Sequence, residues 1–245
     1  MRRLPWAMGL VVAFACMPGP GIAQEISLSL AEGENSLTAR GIQLFLLITV
    51  LSLAPGLAIM ITCFPFIVTV LAILRQAIGL QQSPPNLLII SLALFLSYFV
   101  MEPVFLQAWE NGISPFMNNT LSIEEAFPLT MDPFRVFMSA RVDPETLQTM
   151  AALRPDVDVF ANAPDAPLSV LVPSFLLSEI ARAFQIGFLV FLPFLIIDLV
   201  VAAILMSMGM MMVPPAIVSL PFKLAFFVIA DGWSLIAGSL VRGYL

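Results

Sequence analysis

Hydrophobic residues run in long blocks along this chain, and they do not alternate. Ile42 to Leu74 is apolar almost throughout, interrupted by Pro55-Gly56 and Pro65. Leu87 to Met101 is a second block. A third begins at Pro173-Ser174-Phe175 and reaches Val213, with few polar residues beyond Ser178, Glu179, Arg182, Gln185, Asp198 and Ser207. After Pro214-Pro215 a fourth block carries Lys223 and Asp231 before Gly232-Trp233. Blocks of this length predict helices, because a strand saturates at a handful of residues. Proline-bearing joints between them predict helical hairpins over 42–101 and 173–245. At ~1.5 Å per residue the first block exceeds one hydrocarbon thickness, so its prolines predict a kinked or broken helix whose freed carbonyls need partners.

Residues 102–172 are of another kind. Ten of the sixteen acidic residues lie between Glu102 and Asp165, against three arginines. Ser122 to Phe127 and Asp132 to Ser139 read as helical pieces. Asp132-Pro133 and Asp143-Pro144 read as N-caps followed by proline in the first turn, and 156–167 as an exposed loop. The expectation is a small helical insertion, too large for a turn. Arg75 to Asn86, with Gly79 and Pro84-Pro85, reads as a compact loop between the first two apolar blocks.

The first residues predict a secretory signal over 1–23: Arg2-Arg3, a short apolar run Leu10 to Cys16, and small residues Gly21-Ile22-Ala23 before Gln24. An uncleaved span needs about 20 apolar residues, more than this run supplies. A lipoprotein signal ending at Cys16 fits Ala13-Phe14-Ala15 poorly. The signal puts the short segment 24–41 and the 102–172 insertion outside the membrane, with Arg75 and the methionine-rich joint inside. No basic residue at that joint adds support from the positive-inside rule.

Composition narrows the function classes. Of the 245 residues, 60% are hydrophobic and 11% charged, and the mean hydropathy is +1.01. A soluble domain is about 45–50% apolar and about 25% charged, so the chain is a membrane or membrane-derived assembly protein. A net charge of −6 offers no footprint for nucleic acid. There is no histidine, and Cys16 and Cys63 are the two cysteines. The usual general base and commonest metal ligand are therefore absent. No Gly-rich phosphate cradle occurs. The expectation is no enzyme activity, no cofactor and no metal. Glu124-Glu125 and Asp156/Asp158 read as solvated surface, since adjacent positions on a helix do not face one another.

Two groups of residues in the last hairpin invite a mechanism. Met206, Met208, Met210, Met211 and Met212 surround Gly209 at its apex, next to Pro214 and Pro215. Methionine is unbranched and repacks cheaply. A ring of such clusters makes a compliant apolar seal that excludes water by dewetting; ordinary core packing is the alternative. The second group is ionic. With the apex near Met211, Asp198 lies thirteen residues back and Lys223 twelve forward, so a straight hairpin sets them level. Glu179 is about 30 Å out of level with Lys223 at ~1.5 Å per residue. A Glu179–Lys223 contact needs a bent helix or a neighbouring subunit. Glu179 and Arg182 are three apart, and Ser178, Arg182 and Gln185 share one stripe. A proton relay through Glu179, Asp198 and Lys223 is the functional alternative. With no second carboxylate or histidine one turn away, mutual satisfaction in an interface is the favoured reading.

Phe184-Gln185-Ile186-Gly187-Phe188, Pro193 to Val200, Gly209 to Pro215 and Leu220-Pro221-Phe222-Lys223 closely resemble the FliP family, subunits of the flagellar type III protein export gate. The resemblance covers about 45–240 and is strongest from Pro173 onward. The injectisome counterpart usually reads Ser-Pro after the methionines, where this chain has Pro214-Pro215. The resemblance implies an all-α membrane protein that forms a pentamer-like homo-oligomer with FliQ and FliR, works with FlhA and FlhB in the bacterial inner membrane at the flagellar basal body, and passes unfolded flagellar proteins. It implies that Gly209, Met210, Met211 and Met212 form the seal of the pore. It also implies that charges such as Glu179, Arg182, Asp198 and Lys223 join adjacent subunits. An injectisome gate and a proton-coupled transporter are the alternatives. The latter predicts inverted repeats with interrupted helices, and the two hairpins share prolines but no matching charges.

Overall fold

The computed structural model describes residues 34–80, 83–154, 162–210 and 212–244. The signal segment 1–23, Asp156, Asp158 and Met211 lie outside the described residues. The chain divides into two units, 1–51 and 52–245. Helix α1, Glu34–Met60, begins in the first and ends in the second. In the first unit, Gly41 to Thr49 are exposed along their whole length.

The described residues are helical and contain no strand. In the second unit α1 stops at Met60, and α2, Phe64–Ile78, starts with Pro65 in its first turn. Thr62 joins the two ends: its hydroxyl donates to the Ile59 carbonyl (2.8 Å) and accepts the Phe64 N–H (3.3 Å). Of the two interruptions, Pro55-Gly56 lies inside α1 and ends no helix; the break falls at 61–63, just before Pro65, where a threonine supplies the missing partners. Helix α2 ends on Gly79, left-handed at φ +90.

Helix α3, Asn86–Ala108, does not stop at Glu102-Pro103. It runs through Pro103 into a π-turn, Trp109–Ile113, and a short helix α4, Ser114–Met117. Glu102 and Pro103 therefore lie inside a helix rather than at its end. The lost hydrogen bond at Pro103 is offset by packing on α5, Ile123–Arg141, with Phe105 and Phe134 5.8 Å apart. Gly112 in the π-turn meets α5 closely: a Cβ there would lie 2.0 Å from Thr130 Oγ1 and 2.9 Å from the Ala126 carbonyl. The π-turn, a one-residue widening of the helix, brings this glycine onto α5.

Asp132-Pro133 is not a helix start; both residues lie inside α5. The true cap is Ser122, which accepts from Glu125 N–H while Glu125 returns a bond to Ser122 N–H. This reciprocal capping box starts the helix nearly three turns upstream of Asp132, and the helix runs on through Pro128 and Pro133. Asp143 does cap α6, Pro144–Ala152: its carboxylate accepts from the Thr146 N–H at 2.8 Å. Those backbone donors hold the carboxyls of Glu125 and Asp143 below their ordinary values.

Helix α7, Leu168–Ser207, starts before Pro173 and passes both Pro173 and Pro193. Its 40 residues span about 60 Å, roughly twice a hydrocarbon core. Its N-terminal half packs on α5 and α6, and α2 lies alongside it. The core is the seam among α2, α3, α5 and α7, filled by Ile67, Leu71, Met101, Met138, Leu171 and Phe175. After α7 come α8, Pro215–Ile229, and α9, Gly232–Arg242. The last hairpin's return arm is therefore two helices, bent by 61°, rather than one. Asp231 takes a left-handed φ of 47 at the break. Gly232 follows, where a Cβ would sit 2.2 Å from the Phe227 ring.

By length and apolarity, Gly41–Met60, Asn86–Met117 and Leu168–Ser207 are long enough to cross a membrane, with α8 and α9 a fourth candidate if taken as one bent span.

Candidate functional site

The methionine-rich joint closes α7 by a defined backbone device. Gly209 is left-handed at φ +73. The Met210 N–H bonds the Leu205 carbonyl (3.0 Å) and the Gly209 N–H bonds the Met206 carbonyl (3.0 Å). These two bonds are the Schellman arrangement, so Gly209 is needed to stop the helix. Pro214 and Pro215 start α8 immediately afterwards. The described methionines do not fold back into a core. Met206, Met208 and Met210 are exposed and Met212 is 98% exposed. Beside them an open apolar groove of about 560 Å³ runs between α7 and α8, lined by Ile197, Val201, Ile204, Met208, Met210 and Phe222.

Above the joint, α7 and α8 are clamped by charge. Lys223, 5% exposed, places its ammonium 2.6 Å from Asp198 Oδ2 and donates to the Ala77 carbonyl at 3.1 Å. Ser219 donates to the other oxygen of Asp198 at 2.5 Å. Ala77 is in the last turn of α2, whose end carbonyls lack helical partners and carry partial negative charge. One ammonium therefore ties α2, α7 and α8 together. This is the pair that equal depth along the hairpin permits, and it forms inside one chain.

Glu179 sits elsewhere and has other partners. Its carboxylate, fully buried, accepts from Arg141 Nε (3.2 Å), Arg182 Nη1 (3.1 Å) and the Tyr244 hydroxyl. Arg141 lies 3.9 Å over the Tyr244 ring and donates to the Gly243 carbonyl at 2.6 Å. Arg182 also donates to the Arg141 carbonyl. Both carboxylate oxygens are thus used within the chain, so Glu179 does not depend on Lys223 of a neighbour for satisfaction. The Glu179–Arg182 proximity read from spacing is present; Arg141 and Tyr244 were missed. Each is far from Glu179 in sequence, and no periodicity links a chain end to a helix 65 positions away. Ser219, one turn before Lys223, carried a signal that spacing could have used.

Among the described residues no group of carboxylates and cysteine is placed to hold a metal ion. The buried carboxylate of Glu179 and the ammonium of Lys223 are satisfied inside the chain, and the described methionines at the joint are left exposed.

Residues 47–240 match the FliP family. The chain belongs to that family. A protein of Caulobacter vibrioides named flagellar biosynthetic protein FliP is 50% identical over 234 residues, covering 95% of this chain and 87% of that protein. Relatives of the same name are 44% identical in Agrobacterium fabrum, covering 96% of this chain and 97% of that one, and 45% identical in Bacillus subtilis, covering 83% and 91%. The FliP match spans α2 through α8 and most of α9, so the Asp198–Lys223 clamp, the methionine joint and Arg141, Glu179 and Arg182 lie within it, whereas Gly243 and Tyr244 lie beyond its end.

Proposed function

We propose that the chain is a pore-forming subunit of the flagellar type III export apparatus, whose methionine joint seals the path of unfolded flagellar proteins across the inner membrane. FliP relatives named for flagellar biosynthesis support the flagellar part of the reading. The observation that carries the seal is the exposure of Met206, Met208, Met210 and Met212 at the end of a clamped hairpin. Apolar side chains held out on a fixed turn need a partner surface, and copies meeting at one axis supply it. Methionines then close on one another, exclude water, and give way to a passing chain. The Asp198–Lys223 clamp keeps the base of each tip fixed while its side chains move.

In this reading the chain assembles as a pentamer-like homo-oligomer with FliQ and FliR, next to FlhA and FlhB, in the bacterial inner membrane at the flagellar basal body. The mature N-terminus and the insertion face the periplasm. The chain does no bond chemistry. The flagellar reading is preferred to an injectisome one because of Pro214-Pro215 and the names of the relatives.

The test is inner-membrane ion leak, with secretion of flagellar cargo measured beside it, in cells in which Met210, Met211 and Met212 are all replaced by alanine. Leak with export retained is expected. A tight membrane around a normally assembled complex would return the methionines to packing and move the seal elsewhere.

A further inference from the structure

Helix α9 is lightly buried and fixed at its two ends. Trp233, Ser234, Leu235 and Ser239 are exposed, and its buried side chain is Leu240. At one end is the break at Ala230-Asp231, where the chain bends by 61° and Gly232 rests on the Phe227 ring. At the other end Gly243 and Tyr244 reach the insertion. The Tyr244 ring stacks on Phe137 of α5 (6.0 Å) and meets Phe66 of α2 edge-on (5.5 Å). Its hydroxyl donates to Glu179, and Arg141 donates to the Gly243 carbonyl. The FliP match ends at 240, so these two residues lie beyond it.

The two sides of this contact differ in what they leave behind when they part. If Gly243 and Tyr244 lift away, Glu179 keeps Arg141 at 3.2 Å and Arg182 at 3.1 Å, so every buried charge stays paired. The Gly243 carbonyl, on an exposed residue, passes to water. If α5 lifts first, it takes Arg141 from a carboxylate that is fully buried and takes the Arg141 carbonyl from Arg182. It also strips Phe134 and Met138 from the core. Removing one partner of a buried ion pair costs more than losing one hydrogen bond to a group that stays paired. Parts of one protein open in contiguous units, the cheapest first.

We infer that α9 with Gly243 and Tyr244 is a strap that opens by itself, with Tyr244 as its latch and the break at Ala230-Asp231 as its hinge. The strap lifts while α5 and α6 stay docked on α7, held by Glu179 and the two arginines. A pull on the end of the return arm is therefore released at Tyr244 before it reaches the insertion. The strap is independent of the pore reading, because it is a property of one copy by itself.

The test is amide exchange, read by mass spectrometry, on the full chain purified in mild detergent. In the wild type, the amides of 236–242 should exchange faster than those of 134–141 on α5 and 175–182 on α7. Tyr244→Phe keeps the ring and deletes the hydroxyl. It should speed exchange of 236–242 by about tenfold or more, the equivalent of one bond to a charged acceptor, with α5 still the slower segment. One common rate for the three segments would mean that strap and insertion open as a single unit, and the inference falls. Faster exchange on α5 than on α9 would reverse the order and also overturn it. If Tyr244→Phe leaves 236–242 unchanged, the Tyr244 hydroxyl is not the latch and the inference is wrong.

Discussion

Removing the Glu179 carboxylate is the most demanding test of how the insertion is held to the hairpins. Glu179→Ala deletes a fully buried anion that neutralises Arg141 and Arg182 and accepts from Tyr244. Taking one partner from a buried ion pair costs about 3–5 kcal/mol, mostly from the charge left behind. Arg182 is 35% exposed and can turn to solvent, whereas Arg141 is 16% exposed and is held over the Tyr244 ring. The loss therefore falls chiefly on the Arg141 side. Tyr244→Phe keeps the ring contacts with Phe66 and Phe137 and removes one bond to a charged acceptor, about 1.5–3 kcal/mol. The double variant should lose less than the sum, because both changes act on one network. Glu179→Met with Arg141→Met should recover part of the loss, because it removes both charges. The assay is denaturant titration of the purified chain in mild detergent, followed by protease resistance of the insertion. The reasoning fails if Glu179→Ala costs under about 1 kcal/mol, or if its effect and that of Tyr244→Phe simply add.

Gly112→Ala should destabilise the chain by about 1–3 kcal/mol, because its Cβ would lie 2.7 Å from the Thr130 backbone nitrogen and 2.9 Å from the Ala126 carbonyl, neither of which can swing away; the thermal midpoint in detergent reads this out. Lys223→Met should loosen the α2 end from α7 and α8, leaving Asp198 and the Ala77 carbonyl without their shared donor, and faster amide exchange around Ala77 and Ser219 than in wild type checks it. Acid should fray the starts of α5 and α6. The folded-state carboxyls of Glu125 and Asp143 lie below their ordinary values because backbone N–H groups stabilise the ionised form. Their contribution is therefore fully present above the ordinary carboxylate range and is lost as pH falls through the depressed values. Amide exchange at 123–126 and 144–147 should rise there first, and Asp143→Asn should flatten the response at α6 alone.

Much of this molecule was legible from local pattern. Apolar blocks longer than any strand compel helices. Asp143-Pro144 compelled a helix start, because a carboxylate next to a residue without an N–H has one good local use. Equal spacing from the apex made Asp198 and Lys223 possible partners. The family's long motifs identified the chain, since fifteen or more residues in matching order do not arise from hydropathy. Asp132-Pro133 misled for the same local reason: a cap signal is real only where no earlier cap has started the helix, and Ser122 with Glu125 had done so.

Other features belong to the tertiary structure alone. Hydropathy placed a boundary at Glu102-Pro103, but α3 continues because α5 covers it. The bend at Ala230-Asp231 turns on the left-handed φ of Asp231 and brings Gly232 onto Phe227, a contact without a periodic signature. The partners of Glu179 come from the insertion and the last residues of the chain. A buried charge announces that it needs a partner, because leaving it unpaired in an apolar medium is prohibitive. Which partner it takes depends on how distant helices meet, and that is set by side-chain volumes at the seam rather than by spacing along the chain.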